Sequence, residues 1–208
     1  IGLESVRQEI SSLVTMLNMQ IERGDRSGIQ GLHYVFTGNP GTGKTTVARI
    51  MAEVLHALGV VPRGHLVESD RSKLVAGFTG QTAIKTNQLV DSAIGGVLFI
   101  DEAYMLVTSD MDNFGKEAVD TLLKRLEDDR GKFVCIVAGY TEELHHFMNS
   151  NPGLSSRFTQ TINFPDYSAS ELCDIFYTFA RLRNFVIEDS QRSKINQFFE
   201  RMYAMRTR

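Results

Sequence analysis

The segment Gly38-Asn39-Pro40-Gly41-Thr42-Gly43-Lys44-Thr45 constrains the fold more than any other stretch of this 208-residue chain. It matches the phosphate-binding P-loop pattern in full, with Tyr34-Val35-Phe36-Thr37 before it reading as a strand and Thr46-Val47-Ala48-Arg49-Ile50 after it as a helix. The chemistry needs that setting. Glycines let the backbone wrap a phosphate chain with its N–H groups turned inward, and the start of a helix favours negative charge. Lys44 is expected to reach the β- and γ-phosphates and Thr45 to ligate Mg²⁺, with Gly38 through Thr46 as the cradle. ATP and Mg²⁺ are the expected cofactors.

The surrounding chain repeats the same alternation. Apolar runs at Leu32 to Thr37, His65 to Ser69, Val97 to Ile100, Phe133 to Ala138 and Gln160 to Phe164 read as strands. Helical patterns at Lys44 to Leu58, Gln81 to Ala93, Phe114 to Asp128 and Glu142 to Met148 separate most of them, which predicts an α/β fold with a parallel sheet covered on both faces. Ahead of the sheet, Val6, Ile10, Leu13, Val14, Leu17 and Ile21 recur at helical spacing. After Pro165 only helices follow. Ser168-Ala169-Ser170-Glu171 is a capping-box signature, and Ile195, Phe198, Phe199 and Met202 form a later apolar stripe. The expected organisation is an N-terminal helix and linker over 1–30, an ATP-binding α/β domain over 31–164 and part of a helical lid over 165–208.

Val97-Leu98-Phe99-Ile100 ends in Asp101-Glu102. The C-terminal end of a parallel strand faces the ligand crevice, so Asp101 is placed to hold the metal shell and Glu102 to polarise an attacking water. An acidic pair at a strand end has a plainer reading as a solvated edge. The P-loop upstream makes the catalytic reading the stronger one.

These motifs, together with the helical unit after Pro165, resemble the AAA+ ATPases. The segments Phe36 to Arg49, Gly95 to Tyr104, Phe114 to Leu122 and Asn151 to Phe158 are similar to the CbbX and stage V sporulation protein K group. The resemblance implies a five-stranded sheet of order 5-1-4-3-2, a helical lid, and a homo-oligomeric ring, usually a hexamer, with ATP between subunits. It places Arg157 as an arginine finger acting on the neighbouring subunit, and Gly2 and Leu3 against the adenine. It puts Phe78-Thr79-Gly80, within Lys73 to Gly80, in a pore loop that grips a protein client, and Leu106 to Asn113 near a second pore loop. It leaves the γ-phosphate sensor open between Tyr140 and Thr141. Its lid arginine belongs in an Asn-Gly-Arg or Asn-Ala-Arg context, so neither Arg206 nor Arg208 is assigned.

Composition narrows the alternatives. A net charge of −3 with no basic stripe gives little pull on nucleic acid, so a clamp-loader or initiator role is the secondary reading and no nucleic acid partner is expected. A P-loop metabolite kinase would need neither Glu102 nor a finger in trans, and a non-hydrolysing binding subunit remains a further possibility. Cys135 and Cys173 are the only two cysteines, which excludes a disulfide scaffold and fits a reducing cytoplasm. No apolar run approaches the roughly 20 residues that span a bilayer, and no membrane partner is expected. The opening Ile1 in place of Met suggests a segment of a longer protein. His145 and His146 point about 100° apart on a helix and do not readily share a metal.

Overall fold

The computed structural model describes residues 4–24, 31–78, 80–109 and 111–206. Helix α1 (Glu4–Glu22) leads to β1 (His33–Gly38), and α2 (Lys44–Ala57) follows the P-loop. Then come β2 (Leu66–Ser69), the short α3 (Arg71–Leu74), α4 (Thr82–Ala93) and β3 (Val97–Ile100). A 3-10 turn (Ala103–Leu106) joins β3 to α5 (Asn113–Asp128), which precedes β4 (Val134–Gly139). The rest is α6 (Thr141–Asn149), α7 (Pro152–Arg157), β5 (Gln160–Phe164), α8 (Ala169–Leu182) and α9 (Asp189–Arg206).

All five strands pair in parallel in the order β2-β3-β4-β1-β5, which is the expected order read from the other edge. Successive side chains of a strand point to opposite faces, and the two cores sort accordingly. Tyr34, Phe36, Val97, Phe99, Val134 and Ile136 pack toward α1 and α2. Val35, Leu98, Ile100, Cys135 and Val137 pack toward the helices of the other face, α3 through α7. Strand β3 lies inside the sheet with both faces covered and is apolar and buried throughout, whereas the edge strand β5 leaves Gln160, Thr161 and Asn163 exposed. Cys135 is fully buried, and burial pushes its thiol well above the ordinary range.

Helix termini follow local chemistry. Ser168 and Glu171 form the expected capping box on α8. Asn151 caps α7, with Pro152 in its first turn. Helices α3 and α7 and the 3-10 turn were not anticipated from periodicity, being too short to show any. Helices α8 and α9 form a hairpin in which Phe176 meets Phe199 at 5.9 Å. Much of its apolar surface is open: Phe179 is 59% exposed and Phe198 58%. So the stripe expected on α9 is only partly covered. No described helix is long and apolar enough to cross a membrane.

Candidate nucleotide site

The P-loop leaves β1 through glycines with positive φ: Gly38 at 144°, Gly41 at 76° and Gly43 at 96°. At Gly38 space is also decisive, because a Cβ would collide with the carbonyl of Phe164 on β5 and come 2.9 Å from that residue's own Cβ. Gly43 starts α2 without a side-chain cap, so the helix's first N–H groups are open toward an anion. Thr42 Oγ1 donates to the Asn39 carbonyl at 2.8 Å and stiffens the loop. Lys44 Nζ donates to the carbonyls of Gly38 and Asn39, both at 2.8 Å. Partial burial pulls this ammonium below its ordinary range, while Asp101 and Glu102 pull the other way.

A cavity of about 320 Å³ gathers the expected residues Gly38, Pro40, Gly41, Gly43, Lys44, Thr45 and Thr46 with Asp101 and Glu102. Strands β1, β3 and β4 all deliver their C-terminal ends here. Gly139 and Tyr140 line it too, whereas Thr141 does not, which favours Tyr140 where the sequence left the sensor open. Thr45 and Asp101 offer a hydroxyl and a carboxylate, the hard oxygen donors that suit Mg²⁺ shared with phosphates. Among the described residues no group of three or more His, Cys, Asp or Glu forms a cation cage.

Glu102 adopts φ 46 and ψ 46, one of two non-glycine residues with positive φ in the described chain. Its N–H donates to Asp101 Oδ1 at 3.1 Å. Left-handed backbone at a bulky residue persists only where the surroundings hold it, and it concentrates at functional sites. Two residues on, Tyr104 packs against Tyr140 with ring centres 6.0 Å apart. Burial foremost, and then the charge of Glu102, push the Tyr104 hydroxyl up to about 12. Sequence reasoning assigned Tyr104 no role. Its only signal was its place two residues after the acidic pair.

A second cavity of about 760 Å³ adjoins the first and shares Gly41, Gly43 and Thr46 with it. Val6 and Ile10 of α1, Ile50 of α2, and Tyr167, Ile175 and Phe179 give it a mostly apolar wall. Gly2 and Leu3, expected near a base, lie outside the described residues. Tyr167 hydroxyl donates to the Thr42 carbonyl at 3.0 Å, and Asn39 Nδ2 donates to both carboxylate oxygens of Asp166 at 3.0 Å. These braces span more than 120 residues of sequence, and no local pattern announces them.

Two expected residues stand apart from the cavities. Arg157, at the end of α7, bonds the Gly153 carbonyl and Glu127 Oε2, each at 3.3 Å. Its buried Nε has no hydrogen-bond partner among the described residues. Phe78 is 72% exposed in the segment between α3 and α4, and a Cβ on Gly77 or Gly80 would meet nothing within 4 Å. Phe78 is therefore no part of the core. Thr79 lies outside the described residues.

A family profile described as "ATPase family associated with various cellular activities (AAA)" matches residues 34–166. Stage V sporulation protein K of Bacillus subtilis is 41% identical over 201 residues, 95% of this chain and 62% of that protein. The chloroplastic ribulose bisphosphate carboxylase/oxygenase activase of Cyanidioschyzon merolae is 47% identical over 176 residues, 83% of this chain and 60% of that protein. The chain thus spans less than two thirds of either relative. In fold it is similar to the FIGL-1 AAA domain crystallised with ADP, with a TM-score of 0.64 at 17% identity, covering 94% of this chain and 64% of that one.

Proposed function

The chain belongs to the AAA family of ATPases, in the group that includes stage V sporulation protein K, and from there we propose that it hydrolyses ATP between subunits of a ring, usually hexameric in this family, to remodel a protein client. The observation that carries this reading is the pair of joined cavities. One is polar, at the P-loop and the Asp101-Glu102 strand end, and the other is apolar, between α1, α2 and α8. Their linings suit a triphosphate and a nucleoside, respectively.

In this proposal the open N–H groups of α2 take the phosphates. Lys44 exchanges its two loop carbonyls for phosphate oxygens, which costs little because its charge stays bonded throughout. Thr45 and Asp101 hold Mg²⁺, which neutralises charge on the transferred phosphoryl group when bound. Glu102 takes a proton from the attacking water, and Tyr140 contacts the γ-phosphate side. Arg157, which does not line its own chain's cavity, serves the neighbouring subunit. Residues 165–208 act as the start of a lid over the base, following the 31–164 catalytic body and the 1–30 helix and linker. The exposed Phe78, with its sequence neighbours Thr79 and Gly80, contacts the client; its aromatic ring offers contact area without requiring a particular sequence.

The test is Glu102→Gln in the full-length protein, loaded with ATP and recovered from its own cell extract. ATP binding within a few-fold of the parent, a turnover loss of about 10²–10⁴ and a co-recovered protein dependent on ATP are expected. Unchanged turnover would remove Glu102 from the mechanism. Recovery of nucleic acid in place of protein would overturn the client assignment.

A further inference from the structure

Asp112 takes no part in either cavity, yet it ties together the segment that runs on from Glu102. It caps α5, and its side chain is 7% exposed. Its Oδ1 accepts from Gly115 N–H at 2.9 Å and Arg71 Nη2 at 3.2 Å. Its Oδ2 accepts from Arg71 Nη1 at 2.6 Å, Thr108 N–H at 3.1 Å and Thr108 Oγ1 at 3.0 Å. Five donors hold this carboxylate well below its ordinary range, the Arg71 guanidinium foremost. Arg71 Nη1 also donates to the carbonyls of Met105, at 3.0 Å, and Leu106. Gly115 seals the junction. A Cβ there would collide with the Leu106 carbonyl and lie 2.8 Å from Asp112 Oδ2.

Two structural units meet at this guanidinium. One is the 3-10 turn that begins at Glu102. Such short turns are weak, this one has no side-chain cap, and Glu102 at its head is in left-handed backbone. Something outside the turn must fix its direction, and Arg71 holds its last two carbonyls. The other unit is α3, which leaves β2 directly after Ser69, whose carbonyl accepts from Asp101 N–H at 2.8 Å. The segment carrying Phe78 begins where α3 ends. Its root is pinned to α4: Lys85 Nζ donates to the carbonyls of Ser72 and Val75 at 2.6 and 3.0 Å, and Thr86 Oγ1 donates to the Leu74 carbonyl at 3.0 Å.

We infer that Arg71 and Asp112 are positioning residues that lock the turn carrying Glu102 to the root of the Phe78 loop, so that tension on the loop is transmitted to the hydrolytic carboxylate. The transmission rests on the client-contact role proposed for Phe78; the positioning of Glu102 does not. A lysine cannot replace the fork that spans a carboxylate and two carbonyls.

The test uses full-length protein with Arg71→Lys and, separately, Asp112→Asn. ATP affinity, single-turnover hydrolysis, hydrogen exchange over residues 101–108 and stimulation by permanently unfolded, carboxymethylated α-lactalbumin are measured well below melting. The expected result is ATP affinity within threefold of the parent, hydrolysis slowed tenfold or more, faster exchange over 101–108, and loss of any stimulation. A purely structural ion pair would lower the melting temperature and leave the hydrolysis rate alone; a rate within twofold of the parent in both folded variants overturns the inference. Phe78→Ala separates the two layers. If it keeps the parental response to the unfolded polypeptide while Arg71→Lys still slows hydrolysis, the client-contact reading and the transmission fail and the positioning of Glu102 stands.

Discussion

Replacing Glu102 by alanine and by glycine removes the same carboxylate, so the two variants differ only in backbone. Stability should then follow an order reversed from that at most positions. Elsewhere in a helix or strand, glycine is the less stable by about 0.5–1 kcal/mol, because its unfolded chain is freer. At φ 46 and ψ 46 a Cβ is itself unfavourable, by roughly 1–2 kcal/mol against glycine. The second effect is the larger, so Glu102→Gly should exceed Glu102→Ala by on the order of 0.5–1 kcal/mol. In a chain of this size that is about 1–4 °C in melting temperature. Urea titrations followed by circular dichroism resolve such a difference, and both variants should lose turnover to a similar degree. If alanine proved the more stable by half a kcal/mol or more, Glu102 would not occupy left-handed backbone. Arg71 would then have no strained turn to hold in place.

Mixing offers a test of Arg157. Arg157→Ala should bind ATP within a few-fold of the parent yet lose about 10³-fold or more in turnover. Adding inactive Lys44→Ala, which brings an intact finger, should restore part of the activity; no recovery on mixing would refute action in trans. His33 is 2% exposed, its Nδ1 accepts from Cys135 N–H at 3.1 Å, and burial, then Arg130 and Arg157, lower it from 6.5 to about 4. The unfolded chain therefore binds the extra proton, and stability should fall as pH drops from about 6.5 toward 4, by up to about 1.4 kcal/mol per unit. Equal acid slopes for the parent and His33→Gln would contradict this. Ser168→Ala breaks the capping box on α8 and should cost about 1 kcal/mol, read as a lower denaturation midpoint.

The sheet was legible because its signals are local. Strand β3 has its entire apolar run between glycine and the acidic pair, and the P-loop fixes both its flanks. The short elements were less so. Helix α7 has only six residues, too few to give any periodicity. The left-handed Glu102 escapes any pattern, since glutamate gives no hint of positive φ. Most of what the site gained from three dimensions is long-range: Tyr140 turned into the cavity, Tyr104 beside it, and Arg71 reaching Asp112 across 41 positions. Arg157 could be named from resemblance alone, because its own-chain contacts, the Gly153 carbonyl and Glu127, carry no sign of a finger.

The contacts of Asn39 and Tyr167 carry a mechanical consequence. They tie the phosphate seat to Asp166 and Tyr167, within the short stretch that joins β5 to α8. The α8–α9 hairpin therefore has no free pivot. To swing about that stretch it must either part these hydrogen bonds or turn the peptide planes between Asn39 and Thr42 with it. In the proposed ATPase, a change of hairpin angle would therefore strain the phosphate seat, and a force applied far out on α9 would act as a wrench on Asn39 and Thr42.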